Sequence, residues 1–210
     1  MADYCTLAEL KVQIPESIYA TVTTYDASIS AMITAASRLI DRELGRWDNF
    51  FYPSGSATVR YYDGTTGDTV YIDEFVSVSA VAVSENGSVV SGDYTALSST
   101  DYFAEPANAS GNAKPYNRLV MDFINGSGQS WYEYRKSVKV TAVFGWSTTP
   151  PADVNMACKI QAVRWLMRSK QMYQDVGVDG AIGGMVFKGQ TGLDNDIKAL
   201  LYGYKMELIR

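Results

Sequence analysis

The sequence predicts an α+β protein, mainly a helical bundle, with an inserted antiparallel β subdomain. Three observations carry that prediction. Residues 26–45 present one apolar face at helical spacing. Residues 51–146 turn to Ser, Thr, Gly, Val and Tyr in short alternating runs between turn signals. Between 137 and 165 the pattern switches once, from strand spacing to helical spacing.

In chain order, Thr6-Leu7-Ala8-Glu9 has capping-box spacing and opens a short helix that ends near Pro15. The next helix begins at Tyr25-Asp26. Ile29, Met32, Ile33, Ala36, Ile40 and Leu44 share one face, while Ser30, Arg38, Asp41 and Arg42 lie largely on the other. Gly45 stands where a helix of ~19 residues, ~28 Å long, needs a left-handed terminating residue. Alternating runs at 58–62, 69–72, 76–83, 119–124 and 138–146 predict about five or six antiparallel strands. Asp63-Gly64, Asn86-Gly87 and Asn125-Gly126 are turn dipeptides, and the first two favour tight hairpins. The 76–83 run shifts phase at Ala80, the mark of a bulge or of a strand covered on both faces. The stretch 98–115 reads as a long loop.

Val138, Val140, Ala142, Phe144 and Trp146 alternate with Lys139, Thr141 and Gly145. Pro150 and Pro151 end that strand, and Asp153 stands to cap a helix near 152–173, where Val154, Ala157, Ile160, Gln161 and Arg164 keep helical spacing. The Gly-rich stretch 177–192 interleaves Val178, Ile182, Met185, Val186 and Phe187, which points to a docking segment. A last long helix near 194–208, capped by Asp194, puts Leu193, Ile197, Leu200, Leu201, Tyr204 and Leu208 in one stripe. With Val186 and Phe187, this stripe is the candidate docking surface. Deleting 192–210 is accordingly expected to spare folding and abolish association. The division that follows is a helical body from 1–50 and 147–210, with 51–146 as the β insertion of a single chain unit.

Composition narrows the function classes. The chain has 18 basic and 23 acidic residues, a formal charge of -5, which argues against a surface built to grip phosphates. There is no histidine, so Ser-His-Asp and Cys-His systems and His-ligated zinc are excluded. Asp63, Asp68, Asp73 and Glu74 lack the spacing of a calcium loop and read as turn acids. In 180–191, Lys188 precedes Gly189 and no strand leads in, so a phosphate loop is not indicated. Cys158 reads as a small buried hydrophobe. No enzyme activity, cofactor or metal is expected. The N-terminus shows no basic segment or apolar h-region, and no run of ~18 apolar residues exists, so a cytosolic origin and no membrane are expected. The sequons at Asn86, Asn108 and Asn125 read as turns. Tyr61, Tyr62, Tyr71, Trp131, Tyr132 and Tyr134 leave a second function class open, a carbohydrate- or peptide-binding β module with helical decorations.

Several segments, taken in order, resemble the head–tail connector (adaptor) proteins of tailed bacteriophages. They are Leu7-Ala8-Glu9-Leu10-Lys11, Ala35-Ala36-Ser37-Arg38-Leu39-Ile40-Asp41 running into Gly45-Arg46, Asp93-Tyr94, Pro115-Tyr116-Asn117-Arg118-Leu119, Val140 to Trp146, and Pro150-Pro151-Ala152-Asp153-Val154. The resemblance spans about residues 6–173; the longer β region and the Gly-rich C-terminal part depart from it. It implies a structural virion protein, assembled in the host cytoplasm, that forms a ring at the head–tail neck. The implied ring is a homo-oligomer of about twelve copies around a channel. It would bind the portal protein on one side and a neck or tail-terminator protein on the other. Double-stranded DNA would pass through without sequence readout. Arg38, Arg42 and Arg46, repeating every four residues, would then face a neighbouring subunit or the channel; the alternative is a solvated face with local pairs to Asp41 or Glu43.

Overall fold

Thr6 opens the first helix as its sequence dictates. Its hydroxyl accepts from the Glu9 N–H at 3.2 Å and the Glu9 carboxylate accepts from the Thr6 N–H at 2.8 Å, so the capping box forms and α1 runs Leu7–Gln13. The computed structural model describes residues 3–14, 23–53, 55–86, 93–170 and 192–205. Helix α2, Asp26–Glu43, begins at Tyr25 without a side-chain cap, and Asp26 in its first turn pairs with Lys11 at 2.5 Å. At its end Gly45 has φ 69°; its N–H donates to Arg42 O at 3.2 Å and that of Arg46 donates to Asp41 O at 2.8 Å. This pair of bonds needs a left-handed residue between them, which is why glycine stands there.

The chain divides into two compact units, Met1–Phe51 with Pro150–Arg210, and Tyr52–Thr149. In the first unit α2 packs on α3, Ala152–Lys170; α1 touches both, and α4, Asn195–Leu201, lies on α3. Leu10, Ile29, Ile33, Ala36, Ile40, Val154, Ala157, Ala162 and Leu166 are buried there. Each large aliphatic side chain so covered is worth roughly 1.5–3 kcal/mol before entropy costs.

The C-terminal helix departs from expectation. The sequence predicted one helix across 194–208, yet α4 stops at Leu201 and a 3-10 turn, Tyr202–Tyr204, follows. Gly203 sits in that turn, where glycine weakens helix propagation, and the tighter path brings the Tyr204 ring within 5.5 Å of Phe51. Asp194 is the N-cap residue but makes no side-chain cap bond; its carboxylate pairs with Arg164 of α3 instead.

The second unit is one antiparallel sheet of six strands. These are β1 Thr58–Tyr62, β2 Thr69–Val83, β3 Thr95–Ala96, β4 Tyr102–Glu105, β5 Tyr116–Met121 and β6 Val138–Phe144. The order is β1-β6-β2-β5-β4, with β3 also on β2. Its inward face buries Val70, Ile72, Phe75, Val81, Val83, Leu119, Met121, Val138, Val140, Ala142 and Phe144. The runs read separately at 69–72 and 76–83 are one 15-residue strand, interrupted by register shifts at Tyr71/Phe75, Phe75/Ser77 and Val78/Ala80. The last of these is the phase change visible at Ala80.

Two expectations are corrected. The stretch 98–115 is not all loop, since β4 lies within it and pairs with β5 from Tyr102↔Met121 to Glu105↔Arg118. Asp63-Gly64 does not make a β1–β2 hairpin, because β6 separates those strands. Glycine serves a different purpose there. A Cβ on Gly64 would stand 2.0 Å from both Trp131 O and Tyr132 O, while its N–H donates to Tyr134 O at 3.0 Å. The 131–134 backbone lies on Gly64, and Trp131 is fully buried beside it.

Gly64→Ala is therefore expected to lower stability by about 1–3 kcal/mol or more through forced separation of these backbones. Gly67→Ala, whose Cβ would meet only Thr69 N at 3.9 Å, should change it by less than ~1 kcal/mol. Equal effects in chemical denaturation would contradict this placement of Gly64.

Candidate functional site

The first unit is tied together by a buried polar group centred on Asp41, which is 0% exposed. The Tyr4 hydroxyl donates to Asp41 Oδ1 and accepts from the Phe51 N–H at 3.2 Å; the Asn49 N–H donates to Asp41 Oδ2 at 3.0 Å. Arg38 adds a guanidinium 3.4 Å from the same carboxylate and bonds Asn49 Oδ1 at 2.5 Å. The Tyr4 N–H donates to Ser37 Oγ at 3.0 Å. Burial pushes the Asp41 carboxyl up to about 6, against the opposing pull of the Tyr4 hydroxyl, Arg38 and the Asn49 amide. Burial and the adjacent carboxylate push the Tyr4 hydroxyl well above its usual range. These groups order one another and leave no open face for a substrate; they are architecture.

Each unit carries an exposed surface of interest among the described residues. On the helical unit Ser28, Ala31, Met32 and Ala35 of α2, with Trp165 of α3, line an open groove of about 470 Å³. The small side chains of Ser28, Ala31 and Ala35, at i, i+3 and i+7, lower one side of it, so a helix could approach closely. On the β unit the outward sheet face carries Val59, Tyr61, Tyr71 and Phe103, all exposed. Register places Val59 beside Thr141, Tyr61 beside Lys139, Tyr71 beside Arg118, and Phe103 beside Val120. Tyr94 joins this face, its ring 6.1 Å from that of Tyr61 with Lys139 Nζ 5.7 Å above it.

The expected docking stripe is split. Leu193, Ile197 and Leu201 are buried within the chain's own helical unit, so they form core and offer nothing to a partner. Tyr204 rests on Phe51 and its hydroxyl donates to Asp153 Oδ2 at 3.3 Å. Leu200 stays exposed, as does Tyr202 in the turn that follows. Val186, Phe187 and Leu208 lie outside the described residues. The helix-face arginines also separate. Arg38 is spent on Asp41 and Asn49, and Arg46 lies 4.4 Å over the Phe50 ring with Nε donating to Tyr204 O at 3.4 Å. Arg42 alone of the three is exposed.

The other sequence candidates resolve structurally. Asp73 accepts from Arg60 at 2.5 Å and Tyr62 at 2.9 Å, and Asp63 accepts the Lys136 N–H at 2.8 Å. Trp131 is core, its indole donating to Asp68 O at 2.6 Å, so the aromatic residues do not make one platform. Among the described residues no group of three or more His, Cys, Asp or Glu could hold a metal ion, and no helix is long and apolar enough to cross a membrane. Sequence reasoning missed the groove, since Ala31 and Ala35 carry no chemical signal until the packing of α2 on α3 is known.

No protein-family model matches the chain, and no curated protein matches it. Solved structures do. A chain in the neck of an empty gene transfer agent (GTA) particle computed with C6 symmetry aligns over 99% of this chain and 92% of that one, with TM-score 0.56 and 15% identity. A chain in the virion of a native GTA particle gives TM-score 0.52 at 15% identity over the same shares. A third, in the neck of a native GTA particle computed with C12 symmetry, gives 0.50 at 16% identity over 99% and 91%. This protein shares the fold of those chains, aligned over 99% of its length.

Two measurements test the packing described here. Asp41 carries a raised carboxyl value, so its contribution to stability is full below the unfolded value of 3.8 and is lost as pH rises through about 6. Between pH 4 and 7 the wild-type protein should lose about 2–3 kcal/mol from this group, and Asp41→Asn should flatten that part of the profile. Parallel profiles would remove Asp41 as the cause. Ile197→Ala should cost about 2–5 kcal/mol in chemical denaturation. A neutral result would return α4 to the surface.

Proposed function

We propose that this protein is a structural component of a viral or virus-like particle neck, a ring-forming adaptor that joins portal to tail and surrounds a channel for DNA. One observation carries the reading: the fold likeness to chains from GTA particles, two of them described as necks with C6 and C12 symmetry, extends over 99% of this chain. Cyclic symmetry favours a closed ring, here about twelve copies in contact head to tail. The acidic balance of 23 against 18 residues supports a wall that phosphates slide past, where a basic wall would hold them.

In this reading the α2–α3 groove receives the neighbouring copy, and Arg42 on α2 lies toward the same contact or the channel. Leu200 and Tyr202 are the exposed part of the C-terminal region that meets the portal. The partners are further copies of the chain, a portal protein and the next neck or tail protein. The site of action is the virion neck, after assembly in a host cytoplasm. The role is structural and involves no turnover.

The test is assembly. Purified chain mixed with the portal of the same particle should sediment as a cyclic complex, with rings visible by negative stain. Ala35→Glu, which introduces a charge into the groove, should abolish rings while shifting monomer stability by less than about 0.5 kcal/mol. A monomer that ignores portal at concentrations above ~10 μM, a weak limit for specific association, would overturn the proposal.

A further inference from the structure

The first unit is discontinuous, built from the start of the chain and from the part that follows the β insertion. Its two free cysteines come one from each part. Cys5 Sγ and Cys158 Sγ lie 3.5 Å apart although 153 positions separate them. Both are buried, at 4% and 0% exposure. Their approach is enforced by neighbours on either side. Tyr4 is held by Ser37 and Asp41 of α2, and its carbonyl accepts from Asn155 Nδ2 of α3 at 2.8 Å. Glu9 of the α1 capping box meets the same Asn155 amide at 3.3 Å. Cys158 is fixed one turn along α3, with Ser37 Oγ 3.4 Å from its sulfur. The segment bearing Cys5 is thus laid across α2 and α3 with its thiol above that of Cys158.

We propose that Cys5 and Cys158 are a dithiol modification site, closed into an intramolecular disulfide by a small organic disulfide. The pair is reduced in a reducing compartment and closes in an oxidising one. Closure needs the sulfurs to come ~1.5 Å nearer, to the ~2.05 Å of a disulfide. In its packed position the Cys5 thiol is held well above its usual range by the hydrogen bond it donates to Cys158 and by burial. It reacts when residues 3–6 lift locally and return it to water. The Cys5 thiolate attacks one sulfur of the reagent; that S–S bond breaks and a small thiolate leaves. On re-docking, the Cys158 thiolate attacks Cys5 Sγ, the mixed disulfide breaks, and a second small thiolate leaves. Two protein thiols are oxidised, one reagent disulfide is reduced to two thiols, and the two protein protons end on those thiols at neutral pH.

The bond has a structural consequence that follows from where it lies. It joins both parts of the helical unit and encloses the whole inserted sheet, Tyr52–Thr149, in one covalent loop. The N-terminal segment can then no longer leave the Asp41 group without reduction. A loop this long constrains the unfolded chain strongly.

The experiment uses the reduced full chain with millimolar cystamine at pH 8, read by intact mass, denatured thiol titration and thermal unfolding. Expected are loss of both thiols, a mass decrease of about 2 Da, no covalent dimer, and a Tm increase of roughly 5–15 °C reversed by dithiothreitol. Cys158→Ala should instead retain one cysteamine on Cys5 and gain no Tm. Stable cysteamine adducts on the wild type, disulfide-linked dimers, two persistent thiols, or a lowered Tm would each overturn the proposal. These readouts come from the single chain and do not depend on whether it forms a ring.

Discussion

The packing of α2 against α3 is the constraint on which the helical unit rests. The two helices are supplied by chain segments separated by the entire β insertion, so no local propensity can bring them together. Their contact is a long-range closure, with an entropic cost that the buried Ile33, Ala36, Ile40, Val154, Ala157 and Ala162 must offset. The small residues set the helices close, and the N-terminal segment then fits across both. Tyr4 follows from that arrangement: one residue reaches α2 through Ser37 and Asp41 and α3 through Asn155. The Asp41 carboxyl bears the cost of sitting under this lid, which is why its proton affinity rises despite three favourable partners.

How much of this was legible depended on whether the signal was local. The capping box at Thr6, the left-handed Gly45, the strand at 58–62 and the phase change at Ala80 are statements about neighbouring residues, and each formed as its chemistry required. Partners were harder to read. Asp63-Gly64 carries the composition of a hairpin, but the same glycine equally suits a backbone crossing, and only the position of Trp131 decides between them. Strand β4 is four residues, Tyr-Phe-Ala-Glu, too short for alternation to register. The stripe Leu193, Ile197 and Leu201 was correctly apolar, but an apolar stripe does not say whether it faces its own chain or another. The structure answers that it covers α3.

The same ambiguity divides the arginines of α2. Spacing alone makes Arg38, Arg42 and Arg46 equivalent. The helix end does not, because the Schellman turn at Gly45 directs Arg46 onto Phe50, while Asn49 at φ 65° carries its amide to Asp41 and its side-chain oxygen to Arg38. The left-handed asparagine is a functional part of the fold with no sequence period to announce it, although asparagine is among the residues that tolerate that conformation. Two of the three arginines are thereby engaged within the chain, and Arg42, beside the exposed Glu43, is the one left exposed near the end of the groove-bearing helix.

In the proposed ring, the assembly surface has to be weak enough in the monomer to remain wetted and strong enough when repeated to close. The α2–α3 groove suits that requirement better than the C-terminal stripe could. Its walls are Ala31, Ala35 and Ser28, which expose little apolar area singly and so do not drive random association. Met32 and Trp165 supply an adaptable and a rigid anchor within the same depression. Each contact in a closed ring is made once per copy, so a modest interface is multiplied by the geometry of closure, whereas an exposed leucine stripe would associate without it. Burial of Leu193, Ile197 and Leu201 in the helical unit fits the proposed ring in the same way, because that apolar stripe is already spent on folding.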